Sequence, residues 1–365
     1  MVFEALSALA VTVLAILALR PFALTVDLVD HKADRDLANP GVPLIGGLAM
    51  FLGLVVGVGL LEHPHQHVNP LLAVCGLMLV TGLLEDRYTV SKPIRVLVRL
   101  VGGVVLVGTT HILVRNLGDP LGTGAIMLAG AAATVFTIGG IACSVTAFQV
   151  LDGMDGLAGL NALAALVGLS VLSWGTAQGT TEALLCLLLG SAVAGFMLFN
   201  FPFGLNRRLR CFMGDAGSTF IGVAIGWLCV AISQKPIHDG LAHPSYVLWM
   251  VALPLFELWS TFLRRVLAGR SPFAADAGHF HHRLQLAGFS VRSAFVLFFL
   301  LNLVLVGFGL LLAHLGVADW VAFSGLVCAG LGVVYSMDYA HHLLRWLPAL
   351  RRGSAPVRVS ESDAA

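Results

Sequence analysis

Apolar residues in this 365-residue chain run in long stretches, and polar residues gather in the gaps between them. Eleven such stretches are legible, at about 2–24, 44–61, 70–84, 95–114, 121–148, 157–174, 183–201, 218–233, 245–263, 293–314 and 319–337. A helix needs about 20 predominantly apolar residues to cross a bilayer. The pattern therefore predicts an all-α integral membrane protein, a polytopic helical bundle of about 11 transmembrane helices. The 70–84 stretch is short. The 121–148 stretch is long, with a bend expected at Gly139-Gly140. The first stretch lacks a basic leader and a small-residue cleavage site, so it reads as a retained span and not as a signal peptide. No internal repeat is legible. Residues 1–344 read as one transmembrane domain and 345–365 as a disordered tail.

Composition agrees with the pattern. Hydrophobic residues make up 58% and charged residues 11% of the chain, against ~25% charged in soluble domains. Mean hydropathy is +0.91. The lipid bilayer is the solvent that suits such a chain. No basic stripe points to nucleic acid. The six cysteines are scattered without a CxxC pair and read as buried hydrophobes.

Charge adds an orientation. With residues 25–43 placed in the cytoplasm and the sides alternating from there, the cytoplasmic side holds all of the 21 Lys and Arg residues except Arg115 and Lys235. Basic residues favour the cytoplasmic side. The expectation is an N-terminus outside, a C-terminus inside, and loops near 25, 85, 149, 202 and 264 facing the cytoplasm.

The informative polar clusters fall in those loops. Glu85-Asp86 ends an apolar stretch, where paired carboxylates are costly near lipid. They read either as a cation site or as a solvated helix end. Asp152 and Asp155 flank Gly153-Met154 with no basic residue in their loop; three apart, they share a face if the segment is helical. The alternative is a pair of Asp-Gly turns. Asp215, between Gly214 and Ala216 at a span entrance, reads as an Mg²⁺ ligand or a helix cap. His279, His281 and His282, with Arg264 upstream, read as donors to phosphate or sugar oxygens or as a surface patch. Arg35 lies in the charged first loop, and Asn200 precedes the arginine-rich stretch before Phe212. His63, His65 and His67 lie on the other side with no acidic cluster, and Glu257 is an intramembrane charge with no assigned role. Carboxylates with Mg²⁺ (Mn²⁺ as the alternative), arginine and histidine are suited to phosphoryl transfer.

Five ordered segments carry a resemblance. They are Val42–Gly53, Leu84–Val98, Thr146–Leu163, Phe212–Gly222 and Ser271–Ser290. Together they resemble the motifs of the polyprenyl-phosphate N-acetylhexosamine-1-phosphate transferase family. That resemblance implies a bacterial cytoplasmic-membrane enzyme with its site facing the cytoplasm. Such an enzyme transfers a sugar-1-phosphate from a UDP-N-acetylhexosamine to undecaprenyl phosphate, releases UMP and initiates an envelope polysaccharide. It implies Asp215 as the Mg²⁺ ligand, Glu85 and Asp86 near the lipid phosphate, and Asp152 and Asp155 on the nucleotide side. Phe212 stands where the family stacks a ring on uracil, and His279, His281 and His282 would contact sugar or phosphate. The chain departs from the family pattern at Glu85, where Asp is usual, and at Thr146 and Gln149, where Asn is usual. These departures leave the hexosamine open. The nearest alternative is the transferase that uses UDP-N-acetylmuramoyl-pentapeptide; from another class, a lipid-sugar transporter. A homodimer is compatible with the sequence.

Overall fold

In lipid, a backbone must satisfy its own polar groups, so apolar stretches of this length become helices. The computed structural model describes residues 1–30, 41–62, 66–88, 90–174, 180–201, 209–235, 243–267, 269, 271 and 279–338. Thirteen helices follow in order among them: α1 (Val2–Thr25), α2 (Gly46–Gly59), α3 (Val68–Arg87), α4 (Lys92–Thr110), α5 (Gly130–Leu151), α6 (Leu157–Trp174), α7 (Thr180–Asn200), α8 (Gly214–Ser233), α9 (Pro244–Met250), α10 (Ala252–Leu267), α11 (Phe280–Leu286), α12 (Val291–His314) and α13 (Asp319–Asp338). A two-residue strand, β1 (Val29–Asp30), pairs antiparallel with β2 (Val42–Pro43).

Among the described residues, nine helices are long and apolar enough to cross a membrane, and the bent pair α9–α10 makes a tenth candidate. The protein is thus a polytopic helical membrane protein. All eleven apolar stretches are helical at their centres, but they are not eleven equal spans. α2 has 14 residues and falls short of the usual length. The 245–263 stretch, expected as one helix, is broken at Val251 and bent by 83°. Pro254 lies in the first turn of α10, where its missing N–H removes no helical bond. The 121–148 stretch also differs. Its helix begins only at Gly130 and runs unbroken through Gly139-Gly140. Residues 111–129 form an irregular connection, with a single bridge between Asn116 and Met127 and positive φ at Gly118, Gly122 and Gly124.

α8 is the hub. Every residue from Ala216 to Leu228 is buried, and α2, α3, α5 and α6 pack around it. Close packing in lipid depends on small residues at the contacts. Gly82 of α3 is the clearest case: a Cβ there would lie 2.6 Å from the Asp215 carbonyl oxygen and against the Ala216 backbone. Polar ties pin the same helices. The Gly46 N–H donates to the Phe212 carbonyl at 2.9 Å, and the Phe212 N–H to the Pro43 carbonyl at 2.8 Å. Ser144 Oγ donates to the Gly222 carbonyl at 2.9 Å. These contacts bring the start of α2 and the C-terminal halves of α3 and α5 against α8.

Candidate active site

The first turn of a helix has orphan N–H groups and a positive dipole end. At α8 both are answered by Asp86 from the end of α3. Its Oδ1 accepts the Asp215 N–H at 2.7 Å and its Oδ2 the Ala216 N–H at 3.2 Å. Gly214 has φ +70°, and a Cβ on it would sit 3.1 Å from the Asp86 carboxyl carbon. The backbone can approach that carboxylate only because residue 214 lacks a side chain. Asp86 therefore sets the direction of Asp215, the next residue along.

Asp215 is held on its other side by Gln149 near the end of α5, whose amide donates to Asp215 Oδ1 at 2.5 Å and to Glu85 Oε2 at 3.3 Å. Arg99 of α4 donates to the Gln149 side-chain oxygen and, at 3.0 Å, to Thr146 Oγ1. The two positions that depart from the family's asparagines are thus joined by one guanidinium. Glu85 is nearly buried and pairs with Arg95 at 3.4 Å.

Between α5 and α6 the chain turns through Asp152-Gly153-Met154-Asp155-Gly156, so Asp152 and Asp155 lie on a turn and share no helix face. Asn200, at the end of α7, spans this turn and the irregular segment before α8. Its Oδ1 accepts the Gly156 N–H at 2.7 Å, and its amide donates to the Cys211 carbonyl at 2.9 Å. Asp155 is ion-paired with Arg210. The Arg210 guanidinium lies 5.0 Å from the Phe212 ring centroid, a cation–π distance. Arg20 of α1 donates to the Arg210 carbonyl at 2.8 Å.

The result is a cavity of about 430 Å³ whose wall includes Asp86, Asp152, Asp155, Asn200, Phe212 and Asp215, with Arg210 at its edge. Burial, reinforced by the negative charges of Asp215 and Asp86, pushes the Asp152 carboxyl up to about 8. Desolvation and like charge both favour its neutral form.

The remaining sequence candidates are placed differently. Glu85 reaches Asp215 through Gln149 and does not line the cavity. Arg264 turns back onto Ser260 and Thr261 of its own helix, with bonds of 3.2 Å to each. His279 caps α11, its Nδ1 3.0 Å from Glu257 Oε1. Neither residue lines the cavity. Arg35 falls outside the described residues, as do the side chains of His281 and His282. His63 and His65 are also outside them.

Of four further side chains at these sites, Arg210 and Arg99 were not singled out by sequence, while Glu257 and Gln149 were noted without a role. Arg210 gave a signal, standing immediately before the Cys211-Phe212 segment. Glu257 gave one too, as a carboxylate within an apolar stretch. It is 2% exposed and accepts the Phe280 N–H at 3.1 and 3.2 Å as well as facing His279. Gln149 gave one as the glutamine where the family has asparagine, and Arg99 offered none.

The donor set suits a hard, hydrated cation. Asp215, Asp152 and Asp86 supply carboxylate oxygens that repel one another. No three described acidic, His or Cys side chains form a ready-made cage. Mg²⁺ keeps several waters and takes only one or two carboxylates beside substrate phosphates, so these residues fit it.

The sequence compares closely with known proteins. Residues 69–233 match glycosyl transferase family 4. An undecaprenyl-phosphate alpha-N-acetylglucosaminyl 1-phosphate transferase from Salmonella typhi is 30% identical over 350 residues, covering 96% of this chain and 94% of that protein. The one from Haemophilus influenzae is 30% identical over 353 residues, with 93% and 94% covered. The one from Escherichia coli O157:H7 is 29% identical over 334 residues, with 91% and 90% covered. Likeness at this level over nearly the whole length, with the matched segment carrying Asp86, Asp152 and Asp215, makes the chain a member of glycosyl transferase family 4.

Proposed function

We propose that this protein transfers N-acetylglucosamine 1-phosphate from UDP-N-acetylglucosamine to undecaprenyl phosphate, releasing UMP. The supporting observation is the cavity itself. It gathers five carboxylates (Asp30, Asp86, Asp152, Asp155 and Asp215), one arginine and one aromatic ring at one end of a membrane bundle, where a soluble nucleotide and a lipid head can meet. The names of the relatives supply the sugar and the acceptor.

The reaction is a displacement at phosphorus. An oxygen of the lipid phosphate attacks the phosphorus bonded to the sugar, the bond from that phosphorus to the oxygen shared with the uridine phosphate breaks, and UMP leaves with the electron pair. A phosphate monoester is already largely ionised near neutral pH, so positioning and charge neutralisation carry more weight than a strong base. Bound Mg²⁺, held by Asp215 with Asp152 beside it, would neutralise diphosphate charge. Arg210 offers its guanidinium to the phosphates, and Asp155 fixes its direction. Phe212 presents a ring beside it for the base. Asp86 keeps the start of α8, and with it Asp215, in place. The bias of basic residues toward one set of loops supports a site facing the cytoplasm of a bacterial inner membrane, and the product would start an envelope polysaccharide.

Purified protein with Mg²⁺ and undecaprenyl phosphate should release UMP from UDP-N-acetylglucosamine. A panel with UDP-N-acetylgalactosamine and UDP-N-acetylmuramoyl-pentapeptide tests the sugar. Release of UMP from none of the three would overturn the reading, and release from the pentapeptide donor alone would transfer it to the peptidoglycan branch.

A further inference from the structure

A second cavity, of about 720 Å³, lies at the other end of the bundle. α3 carries Glu85 and Asp86 at its C-terminal end and contributes His67 and Val68 to this cavity from its start. α8 carries Asp215 at its start and contributes Trp227, Ala231 and Gln234 from its far half and its C-cap. At 1.5 Å per residue the two sites are about 25 Å apart.

Two of the residues that line this cavity carry buried nitrogens with no hydrogen-bond partner. Trp227 is 2% exposed, and its Nε1, a donor only, has no hydrogen-bond partner. Buried polar atoms are rarely left so. His67 Nδ1 is likewise buried and unpartnered, and it is the donor in the tautomer whose Nε2 accepts from the Gln66 amide at 3.5 Å. Arg115 brings a permanent positive charge whose guanidinium has no ion-pair partner among the described residues. The loop bearing it is fixed, since Gln234 Oε1 accepts the Arg115 and Asn116 N–H groups at 2.8 and 2.9 Å and the Gln234 amide donates back to the Asn116 carbonyl at 2.9 Å. The one carboxylate in the wall, Glu182, is ion-paired with Lys235. The fit is to a ligand that accepts hydrogen bonds and carries negative charge. A guanidinium matches a phosphate in particular, and the volume is that of a small-molecule or headgroup site.

We propose that this cavity is a second ligand site, on the membrane face opposite the carboxylates, which binds an anionic phosphate group through Trp227, Arg115 and His67. The phosphate belongs either to an anionic phospholipid headgroup in that leaflet or to a soluble phosphate ester.

Two measurements on the full-length protein test this. Native mass spectrometry compares retention of phosphatidylglycerol and phosphatidylcholine by the wild type, Trp227→Phe and Arg115→Gln. Titration with glycerol 1-phosphate in phosphatidylcholine nanodiscs reads the emission of Trp227 as the difference between wild type and Trp227→Phe. A lipid ligand predicts preferential retention of phosphatidylglycerol, weakened at least ~10-fold by Arg115→Gln. A soluble ligand predicts a saturable change in the Trp227 emission that Arg115→Gln shifts by the same factor. Arg115 is exposed, so its variant carries the test should Trp227→Phe fail to fold. Equal retention of both lipids with no change in emission, or binding that neither substitution weakens, would overturn the proposal and leave a water-filled cavity.

Discussion

Replacing Asp86 separates two uses of a carboxylate at this position, a helix cap and a group acting on substrate. Both of its oxygens accept N–H groups at the start of α8. Losing a cap to alanine costs ~1 kcal/mol. Losing a charge from a partly buried helix N-terminus adds ~0.3–2 kcal/mol, and a donor left without an acceptor costs ~1–3 kcal/mol. These costs overlap, and Asp86→Ala should destabilise by about 2–4 kcal/mol in total. Asp86→Asn keeps one acceptor oxygen and should cost about half of that. Because the capped residue is Asp215, loss of the cap also moves that carboxylate, and a displacement of ~1 Å costs ~100-fold in rate. Thermal denaturation followed by size-exclusion chromatography in detergent measures the first effect, and UMP release measures the second. The expected order in both is wild type, then Asn, then Ala. An alanine variant that melts with the wild type would refute the capping role. An asparagine variant as stable as wild type yet inactive would show that the charge acts on substrate directly.

Two further outcomes follow from buried charge. Asp152 has a carboxyl held up to about 8 against an ordinary 3.8, so between those values the folded protein binds more protons than the unfolded chain, and stability falls as pH rises. Without divalent cations, the melting temperature should therefore drop from about pH 5 to about pH 8, and Asp152→Asn should flatten that slope; parallel slopes for the two proteins would exclude Asp152 as its source. Glu257 faces His279 and caps α11 from a buried position. Glu257→Ala should destabilise by ~3 kcal/mol and Glu257→Gln by less, as judged by chemical denaturation, and equal stability of the alanine variant and wild type would remove Glu257 as an anchor of the histidine segment.

Much of this was legible from residue order, and the failures have physical causes. Carboxylates at the ends of apolar stretches stand out because lipid penalises them, and Asp86, Asp152, Asp155 and Asp215 do line one cavity. What they do there depends on partners far away in sequence. Gln149 reaches Asp215 across 66 positions, and Arg99 reaches Gln149 across 50. Nothing local in Gln149 or Arg99 announces either contact. The spans were legible as hydrophobicity and less so as geometry. In the 111–129 segment, Leu117, Leu121, Ile126 and Leu128 mask the turn glycines 118, 122 and 124. In 245–263 the break falls at Val251, which reads as one more apolar residue, while the visible Pro254 sits harmlessly in the first turn of the next helix.

The burial of α8 bears on the order in which the protein is made. Chains emerge N-terminus first, so α2, α3, α5, α6 and α7 are in the membrane before α8 leaves the ribosome. In the finished fold the slot lined by Gly82 and Ser144 is filled by α8. Asp215 arrives with that helix, and the Asp86 cap, the Gln149 bridge and the cavity wall all close around it at once. The site is thereby timed to late assembly: a chain halted before residue 214 lacks Asp215, the backbone N–H groups that Asp86 caps and one wall of the cavity.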